Sequence, residues 1–316
     1  AVLSGELDEE VLDQAVERIL NMIFKAEDAL RKDFSYDADA HHLLARRAAG
    51  EGAVLLKNEG ALLPLSKDSH IALIGRFAKT PRYQGAGSSR INPSHLENLY
   101  QELADLISEE NLIYAPGYDQ NGATDEYLLQ EALDAASQAD VVVIHIGLMD
   151  IDEVEGLDRK HLNLPEGHNI LIKAIAAQHQ QVVVVLSNGA PVAMPWVNSV
   201  AAILEGYLGG QAGGGALADI LTGRVNPCGK LAETFPYQLE DTPARPFPGG
   251  PATVEYRESL YVGYRWYDTA DVDVLFPFGH GLSYTTFEYR ALEVEHADKE
   301  IGRDTSELQS LLIISY

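Results

Sequence analysis

A short acidic segment contains the densest set of side chains that could do chemistry. It follows the apolar run Val141–Gly147 and holds five carboxylates within nine residues, with one arginine directly after them. These residues are Asp150, Asp152, Glu153, Glu155, Asp158 and Arg159. Crowded carboxylates raise one another's pKa, and a carboxylic acid that stays protonated near neutral pH can give its proton to a leaving group. The segment is therefore a candidate for general acid catalysis.

Two other interpretations of this segment stay open on composition alone. Runs of this kind are common in solvated loops, and oxygen-rich segments also bind Ca²⁺. The ligand spacing of a helix–loop–helix calcium site is absent. Composition alone therefore favours a solvated loop first, catalysis second and calcium binding third.

The glycine- and serine-rich stretch 84–90 is a second candidate, a few residues after the apolar run Ile71–Ile74. Glycines let the backbone approach a ligand closely, and Ser88 and Ser89 offer hydroxyl groups. A dinucleotide-binding fingerprint needs its glycines at the turn from strand to helix, whereas these come about ten residues later. We therefore predict no nucleotide cofactor, and a plain surface loop stays the alternative to a ligand-contacting one.

No metal site is predicted. His41, His42 and His280 have no second set of ligands at a metal-binding spacing, so we interpret them as structural. The single cysteine, Cys228, cannot form an internal disulfide or a cysteine-based cluster. A third glycine cluster, 209–215, precedes a predicted helix and is typical of close helix–sheet packing.

Alternating strands and helices must position these segments. Four near-continuous apolar runs predict strands covered on both faces, over 71–74, 141–147, 182–186 and 201–204. Six segments predict helices, over 8–30, 40–52, 95–108, 125–139, 165–179 and 211–222. The alternation predicts an α/β fold with a mostly parallel sheet between helices. In such a fold the ligand crevice lies beyond the carboxyl ends of the strands, where both candidate loops begin.

The composition excludes several classes of partner. The chain has 316 residues and a net charge of −25, with no basic stripe of the kind that binds phosphates. Its acidity also disfavours anionic membranes, and no apolar run approaches the ~18 residues that span a bilayer. We therefore expect no nucleic acid and no membrane among its partners, and one large domain or two modest ones.

Several motifs, in order along nearly the whole chain, resemble family 3 glycoside hydrolases. They are LLKNE (55–59), LLPL (62–65), GAGSS (85–89), EGLDR (155–159), TFP (234–236) and FPFGHGLSY (276–284). A single match of this length is weak, whereas the order and number of the matches carry the resemblance. The β-glucosidase type is the nearest in pattern.

The resemblance implies a six-stranded α/β sandwich that follows a (β/α)₈ barrel and precedes a fibronectin type III-like domain. It assigns 1–36 to the end of the barrel domain and a linker, and 37–236 to the α/β sandwich. It assigns 237–284 to a linker and 285–316 to the truncated start of the fibronectin-like domain. Both ends of the chain are then edges of missing domains, and the missing barrel of the same protein is a partner. A homo-oligomer is compatible with this organisation.

The family is retaining: one carboxylate attacks the anomeric carbon, and a second protonates the leaving oxygen and later deprotonates water. The resemblance implies that Glu155 is this acid/base, with Glu153 as the fallback. The nucleophile of the family is an aspartate on the barrel, which this chain lacks. We therefore expect the isolated chain to be inactive and the chemistry to belong to a longer protein.

The remaining site residues also follow from the resemblance. Ser88, with Ser89 and Arg90 beside it, is expected to bind the sugar. Asp158 and Arg159 are expected to hold the catalytic loop through a charge-assisted pair. The implied substrate is a β-glucoside or oligosaccharide with a terminal non-reducing β-D-glucosyl residue, and no cofactor is implied. The alternatives are a β-xylosidase and a non-catalytic, truncated or degenerate sugar-binding domain.

Overall fold

The computed structural model describes residues 1–31, 33–243, 256, 258–288 and 314–315. The chain divides into two units, Ala1–His41 and His42–Tyr316. The first unit contains α1 (Glu9–Ala29), whose N-cap Asp8 accepts a hydrogen bond from Glu10 N at 3.1 Å. The apolar stripe of α1 is exposed, with Phe24 at 56%. None of the described helices is both long and apolar enough to cross a membrane.

The second unit is built on a six-stranded sheet. Its strands are β1 (Val54–Asn58), β2 (Ile71–Ile74), β3 (Leu112–Ala115), β4 (Val141–Gly147), β5 (Val182–Ser187) and β6 (Ala202–Glu205). They lie in the order β1-β6-β5-β4-β2-β3. The neighbouring strands β6, β5, β4, β2 and β3 run parallel to one another, whereas β1 pairs antiparallel with β6. Five strands therefore end at the same edge of the sheet, which is where a ligand crevice is expected.

Helices cover both faces of the sheet. They are α3 (Leu99–Ile107), α4 (Glu126–Ala136), α5 (Glu166–Ala176) and α6 (Gly213–Leu221), and α2 (Ala38–Gly52) is joined to α3 and α6 by ion pairs of Arg46. Side chains of α3 and α6 share one core with Leu73, and side chains of α4 and α5 share the opposite core with Ile74. Because successive strand residues point to opposite faces, a sheet with two buried faces needs strands that are apolar throughout. This explains the continuous apolar runs in the sequence.

The predicted fold class is confirmed, and every predicted strand and helix is present with slightly different ends. Two strands of the six-stranded sheet, β1 and β3, were not located by the sequence patterns. β1 runs directly into the turn at Glu59–Ala61, and its Lys57 and Asn58 interrupt the apolar pattern. β3 is only four residues long and contains a tyrosine, so it has too short a run to be distinguished from a loop.

The glycine cluster 209–215 packs closely, but against a helix rather than against the sheet as predicted. A Cβ atom on Gly214 would lie 2.7 Å from the carbonyl carbon of Asn98, the N-cap of α3. A Cβ atom on Gly215 would overlap the side chains of Arg46 and Glu97. Small residues at these positions allow α6 to lie against α2 and α3.

The segment 276–284 runs along the outer edge of the sheet. Leu282 N donates a hydrogen bond to Leu55 O at 2.8 Å in an antiparallel bridge with β1. His280 Nε2 donates to Leu56 O at 2.8 Å, which gives this histidine the structural role predicted for it. The segment is thus anchored to the backbone of β1.

Other elements lie near the C-terminus. A short helix, α7 (Tyr264–Ala270), occupies the aromatic part of the predicted linker. The strand β7 (Phe287–Glu288) pairs antiparallel with β8 (Ile314–Ser315). The expected start of a fibronectin-like domain at 285–316 falls mostly outside the described residues.

Candidate active site

The loops after β2 and β4 meet at the carboxyl edge of the sheet. These two strands are neighbours, and a parallel bridge between Ala86 and Val154 joins their loops. The bridge brings together the two stretches that the sequence marked as candidates, the glycine-rich loop and the acidic segment. They form one site rather than two.

Glu155 stands on the exposed side of this site. The Ser88 hydroxyl donates a hydrogen bond to Glu155 Oε2. Gly87 allows the close approach, because a Cβ atom there would lie 3.1 Å from Glu155 Cβ and its φ of +93° is a conformation that L side chains rarely adopt. The Glu155 carboxylate is therefore accessible to solvent while one of its oxygens is held by the neighbouring loop.

An ion pair between Arg90 and Asp150 lies at the exposed rim of the site. Arg90 Nη2 pairs with Asp150 Oδ2, and Arg82 Nε lies 3.4 Å from Asp150 Oδ1. Ser89 is exposed between Ser88 and Arg90. The acidic segment and the glycine-rich loop are thus joined by opposite charges as well as by the bridge.

Glu153 is enclosed rather than exposed. Its Oε1 and Oε2 accept hydrogen bonds from Gly189 N at 2.9 and 3.0 Å, and Arg82 Nη1 pairs with Oε2. The side chains of Arg82 and Glu153 are only 3% and 12% exposed. Glu153, the fallback candidate for the acid/base, therefore accepts its hydrogen bonds from groups inside the protein. Arg82 itself was not predicted, because nothing in its local sequence distinguishes it from a surface arginine.

The predicted pair between Asp158 and Arg159 does not form: no ion pair of the described residues joins them. Arg159 Nη1 instead donates to Pro191 O at 3.1 Å, in the loop after β5. Burial lowers the pKa of the Arg159 guanidinium, and the Glu153 and Glu233 carboxylates oppose that shift. Arg159 therefore holds the acidic segment through a backbone carbonyl, while Asp158 is exposed.

Two further acids near this site were not predicted. Glu205 ends β6, and its carboxyl oxygens accept hydrogen bonds from Tyr207 N at 2.8 Å and Asn188 Nδ2 at 2.9 Å. Burial raises the pKa of Glu205 well above its ordinary value. Burial and the negative charge of Glu153 raise the pKa of Glu233 to about 7. Glu205 could have been suspected from the sequence, because it ends an apolar run and is followed by Gly206. No feature of the local sequence indicates Glu233.

An open pocket of about 230 Å³ lies beside the rim ion pair. Its lining includes Gln84, Arg90, Asn92 and Asp150, together with Tyr83. Convergent amide, guanidinium and carboxylate groups of this kind suit a ligand rich in hydroxyl groups. The pocket extends the site away from Glu155 along the glycine-rich loop.

Comparison with known families identifies the domain that carries this site. The model of the glycosyl hydrolase family 3 C-terminal domain matches residues 53–284. The chain belongs to glycoside hydrolase family 3. The match includes all six strands of the main sheet and every residue of the site described above.

Curated family 3 relatives match the chain over most of its length. The thermostable β-glucosidase B of Acetivibrio thermocellus is 54% identical over 301 residues, which cover 94% of this chain and 40% of that protein. The exo-α-(1→6)-L-arabinopyranosidase of Bifidobacterium breve is 40% identical over 307 residues, which cover 93% of this chain and 40% of that protein. The chain thus spans about 40% of the length of these relatives.

A solved structure of the family has the same fold. The crystal structure of a family 3 β-glucosidase of Bifidobacterium adolescentis superposes with a TM-score of 0.83 at 43% identity. The superposition covers 91% of this chain and 43% of that one. The six-stranded α/β sandwich described above is therefore the family 3 C-terminal fold.

His42, which precedes the matched domain, has structural partners. His42 Nε2 lies 2.7 Å from Glu97 Oε1, and Gln211 Nε2 lies 2.7 Å from His42 Nδ1. Over the described ranges, no group of three or more His, Cys, Asp or Glu side chains is placed to hold a metal ion.

Proposed function

We propose that this chain supplies the general acid/base of a retaining, β-glucosidase-like hydrolase, and that Glu155 has this role. One observation carries the proposal: Glu155 is exposed at the carboxyl edge of the sheet, whereas Glu153 is enclosed by Arg82 and Gly189. A general acid must come within hydrogen-bond reach of the atom it protonates, directly or through one water molecule. Of the two glutamates, only Glu155 is accessible to a glycosidic oxygen.

The proposed reaction has two steps. Glu155 first protonates the glycosidic oxygen while an aspartate of the family's barrel domain attacks the anomeric carbon. The Glu155 carboxylate then takes a proton from water, which attacks the same carbon and releases the sugar with retained configuration. Because the aspartate is supplied by another domain, the activity is proposed for the longer protein and not for this chain alone.

The glycine-rich loop is the proposed contact surface for the sugar. A terminal β-D-glucosyl residue beside Glu155 would meet the Ser88 hydroxyl first, with Ser89 and Arg90 next along the loop. A hydroxyl group can donate one hydrogen bond and accept others at the same time. Ser88 can therefore hold Glu155 and still accept a hydrogen bond from a sugar hydroxyl.

The domain boundaries are part of this proposal. We assign residues 1–36 to the end of the barrel domain and its linker, and 285–316 to the start of a fibronectin-like domain. The exposed apolar stripe of α1 supports the first assignment, because such a stripe normally packs against another element. The end of the family match at residue 284 supports the second.

A pentopyranose is the second candidate for the sugar. The arabinopyranosidase of Bifidobacterium breve matches this chain over as much of its length as the β-glucosidase does. A β-xylosidase, the alternative considered from the sequence, would also take a pentopyranose. The test compares kcat/KM of the full-length protein on aryl β-D-glucoside, aryl β-D-xyloside and aryl α-L-arabinopyranoside. Inactivity on all three, with the barrel present, would favour a non-catalytic domain.

The role of Glu155 is tested with Glu155→Gln in the full-length protein. We expect kcat/KM on an alkyl glucoside to fall about 10²–10⁴-fold, the range of general acid catalysis. Aryl glucosides with good leaving groups should lose less, because their departure needs little protonation. Added azide should restore turnover, because it can attack the glycosyl intermediate without a general base.

The matched control for this test is Glu126→Gln, which changes an exposed carboxylate in the first turn of α4. It should leave the kinetics unchanged. Azide rescue of Glu153→Gln, without rescue of Glu155→Gln, would reject the assignment.

A further inference from the structure

Three loops at the carboxyl edge converge on one buried ion pair. Arg82 follows β2, Glu153 follows β4 and Gly189 follows β5. The Glu153 carboxylate accepts hydrogen bonds from Gly189 N and pairs with Arg82 Nη1. Since Glu153 precedes Glu155 by only two residues, whatever fixes Glu153 also restricts where Glu155 can stand.

Arg82 lies inside the turn that leads to Glu155. Its Nη1 donates to Leu148 O at 2.9 Å, at the beginning of the turn, and pairs with Glu153 near the end. Its Nε lies 3.4 Å from Asp150 Oδ1, midway along. One Arg82 side chain thus holds both ends of the turn through Nη1, while Asp150 is close enough for a charge interaction with Nε.

The opposite side of the carboxylate has little free space. A Cβ atom on Gly189 would lie 3.3 Å from Glu153 Oε1. The Gly189 N–H thus approaches the carboxylate closely because no side chain stands between them. The Glu153 carboxylate is thus held both by Arg82 and by the Gly189 N–H.

We infer that Glu153 is a positioning residue of the reaction, and that the Arg82–Glu153 pair fixes the position of Glu155 relative to the glycosidic oxygen. The inference rests on the proposed role of Glu155 as the acid/base. A displacement of a catalytic group by about 1 Å can reduce the rate about 10²-fold. Loss of the pair should therefore reduce the rate of the chemical steps with little effect on substrate binding.

The test uses the full-length protein and the variants Glu153→Gln, Arg82→Met and the double variant. For each single variant we expect kcat to fall about 10–100-fold with KM changed less than about 3-fold. The loss should be larger for poor leaving groups than for good ones, but smaller on each substrate than in Glu155→Gln, and azide should restore only part of it, because Glu155 is still present but misplaced. The double variant should lose little more than either single variant, because residues of one network are not additive.

A buried pair is also important for stability, so folding must be measured separately. Removing one partner leaves the other charge buried and uncompensated. Rates are therefore normalised to the folded fraction, measured by circular dichroism well below the melting temperature. Arg82→Lys keeps the charge and should recover part of kcat, while Glu126→Gln is again the matched control.

Each outcome separates this inference from the proposed function. Unchanged kcat per folded molecule in Glu153→Gln, with Glu155→Gln behaving as an acid/base variant, overturns the inference and leaves the proposed function intact. Wild-type kinetics in Glu155→Gln overturn the proposed function. Azide rescue of Glu153→Gln without azide rescue of Glu155→Gln shows that Glu153 is itself the acid/base, and this overturns both.

Discussion

Ser88 is the residue at which substrate and acid/base would meet. Its hydroxyl donates to Glu155 Oε2, and it is presented by a loop whose Gly87 leaves no side chain in the way. A hydrogen bond to a charged group contributes about 1.5–3 kcal/mol. The same hydroxyl is exposed to any sugar that approaches the carboxylate.

Replacing Ser88 with alanine should therefore impair catalysis without unfolding the protein. We expect Ser88→Ala in the full-length protein to lower kcat/KM on an aryl glucoside about 10–100-fold, the factor that corresponds to one such hydrogen bond. Ser88→Thr keeps the hydroxyl and should lose less. If Ser88→Ala and Ser88→Thr have equal kinetics, the hydroxyl has no part in the reaction.

Candidate site residues could be predicted from the sequence where they lie in motifs. Contacts between residues far apart in the sequence could not. Ser88 and Glu155 were singled out because each lies in a short pattern with an expected chemistry; the structure places them in contact, and their roles stay predictions. Arg82 and Glu153 form their pair across 71 positions, so no local pattern indicates it. The Asp158–Arg159 pair was predicted from adjacency alone, whereas Arg159 bonds to a carbonyl 32 positions away.

At the scale of elements, a single arginine joins three helices. Arg46 on α2 pairs with Glu102 on α3 at 2.7 Å and with Asp219 on α6 at 2.7 Å. Its Nη1 also lies 3.3 Å from Glu97 Oε1, and Gly215 N donates to the other oxygen of Glu97 at 2.9 Å. The hydrogen bond from Gly215 requires that no Cβ atom stand beside it.

Gly215→Ala should consequently destabilise the α2–α3–α6 packing. The added methyl group would overlap Arg46 and Glu97, so we expect the free energy of unfolding to fall by about 2–3 kcal/mol. The measurement is the urea midpoint, followed by tryptophan fluorescence. Gly213→Ala is the matched control in the same helix, since nothing lies within 4 Å of its Cβ position. Equal midpoints for the two variants would contradict this account.

A strand could be predicted from the sequence when its apolar run is long. β4 and β5 are seven and six residues of nearly continuous apolar sequence, which only a doubly covered strand explains well. β3 has four residues, and its existence depends on pairing with β2 rather than on its own sequence. The packing partner of 209–215 was predicted wrongly because glycines show that something is close without showing what it is.

For the molecule as a whole, two buried histidines influence how stability depends on pH. His145 lies on β4 and His168 on α5, and both are nearly inaccessible to solvent. Burial lowers the pKa of each from 6.5 to about 3. Both are therefore neutral in the folded protein at pH values where the unfolded chain would protonate them.

The two histidines should accordingly contribute less stability on acidification, whereas Glu205 and Glu233, whose pKa values are raised by burial, contribute in the opposite direction. Because the folded-state pKa values of the histidines are depressed, their stabilisation is complete above about pH 6.5 and is lost as the pH falls towards about 3. Two protons taken up on unfolding correspond to a slope of up to about 2.7 kcal/mol per pH unit. The difference in pH slope between the wild type and a histidine variant, obtained from urea unfolding between pH 7 and pH 4, measures it.

The contribution of one histidine is isolated by substitution. His168→Leu replaces the imidazole with an apolar side chain of similar size and should roughly halve the contribution of the pair to the acid slope. His161→Gln changes an exposed histidine and should leave the slope unchanged. An unaltered slope in His168→Leu would assign the acid sensitivity to other groups.

The overall architecture could be predicted because motifs from 55 to 284 resemble one family in a fixed order, and the family match over 53–284 confirms it. The site could be predicted only in part, since its interior side depends on the three-dimensional convergence of loops. The assignment of residues 1–36 and 285–316 to neighbouring domains stays a prediction.

The anchoring of segment 276–284 to β1 has a consequence for self-association. An outermost strand with unpaired backbone groups is a template to which another chain can add a strand. Here Leu282 N and the His280 ring occupy the carbonyl oxygens of Leu55 and Leu56, two of the five residues of β1. In the folded protein the chain therefore caps part of its own antiparallel edge, which disfavours edge-to-edge pairing with another chain on that side of the sheet.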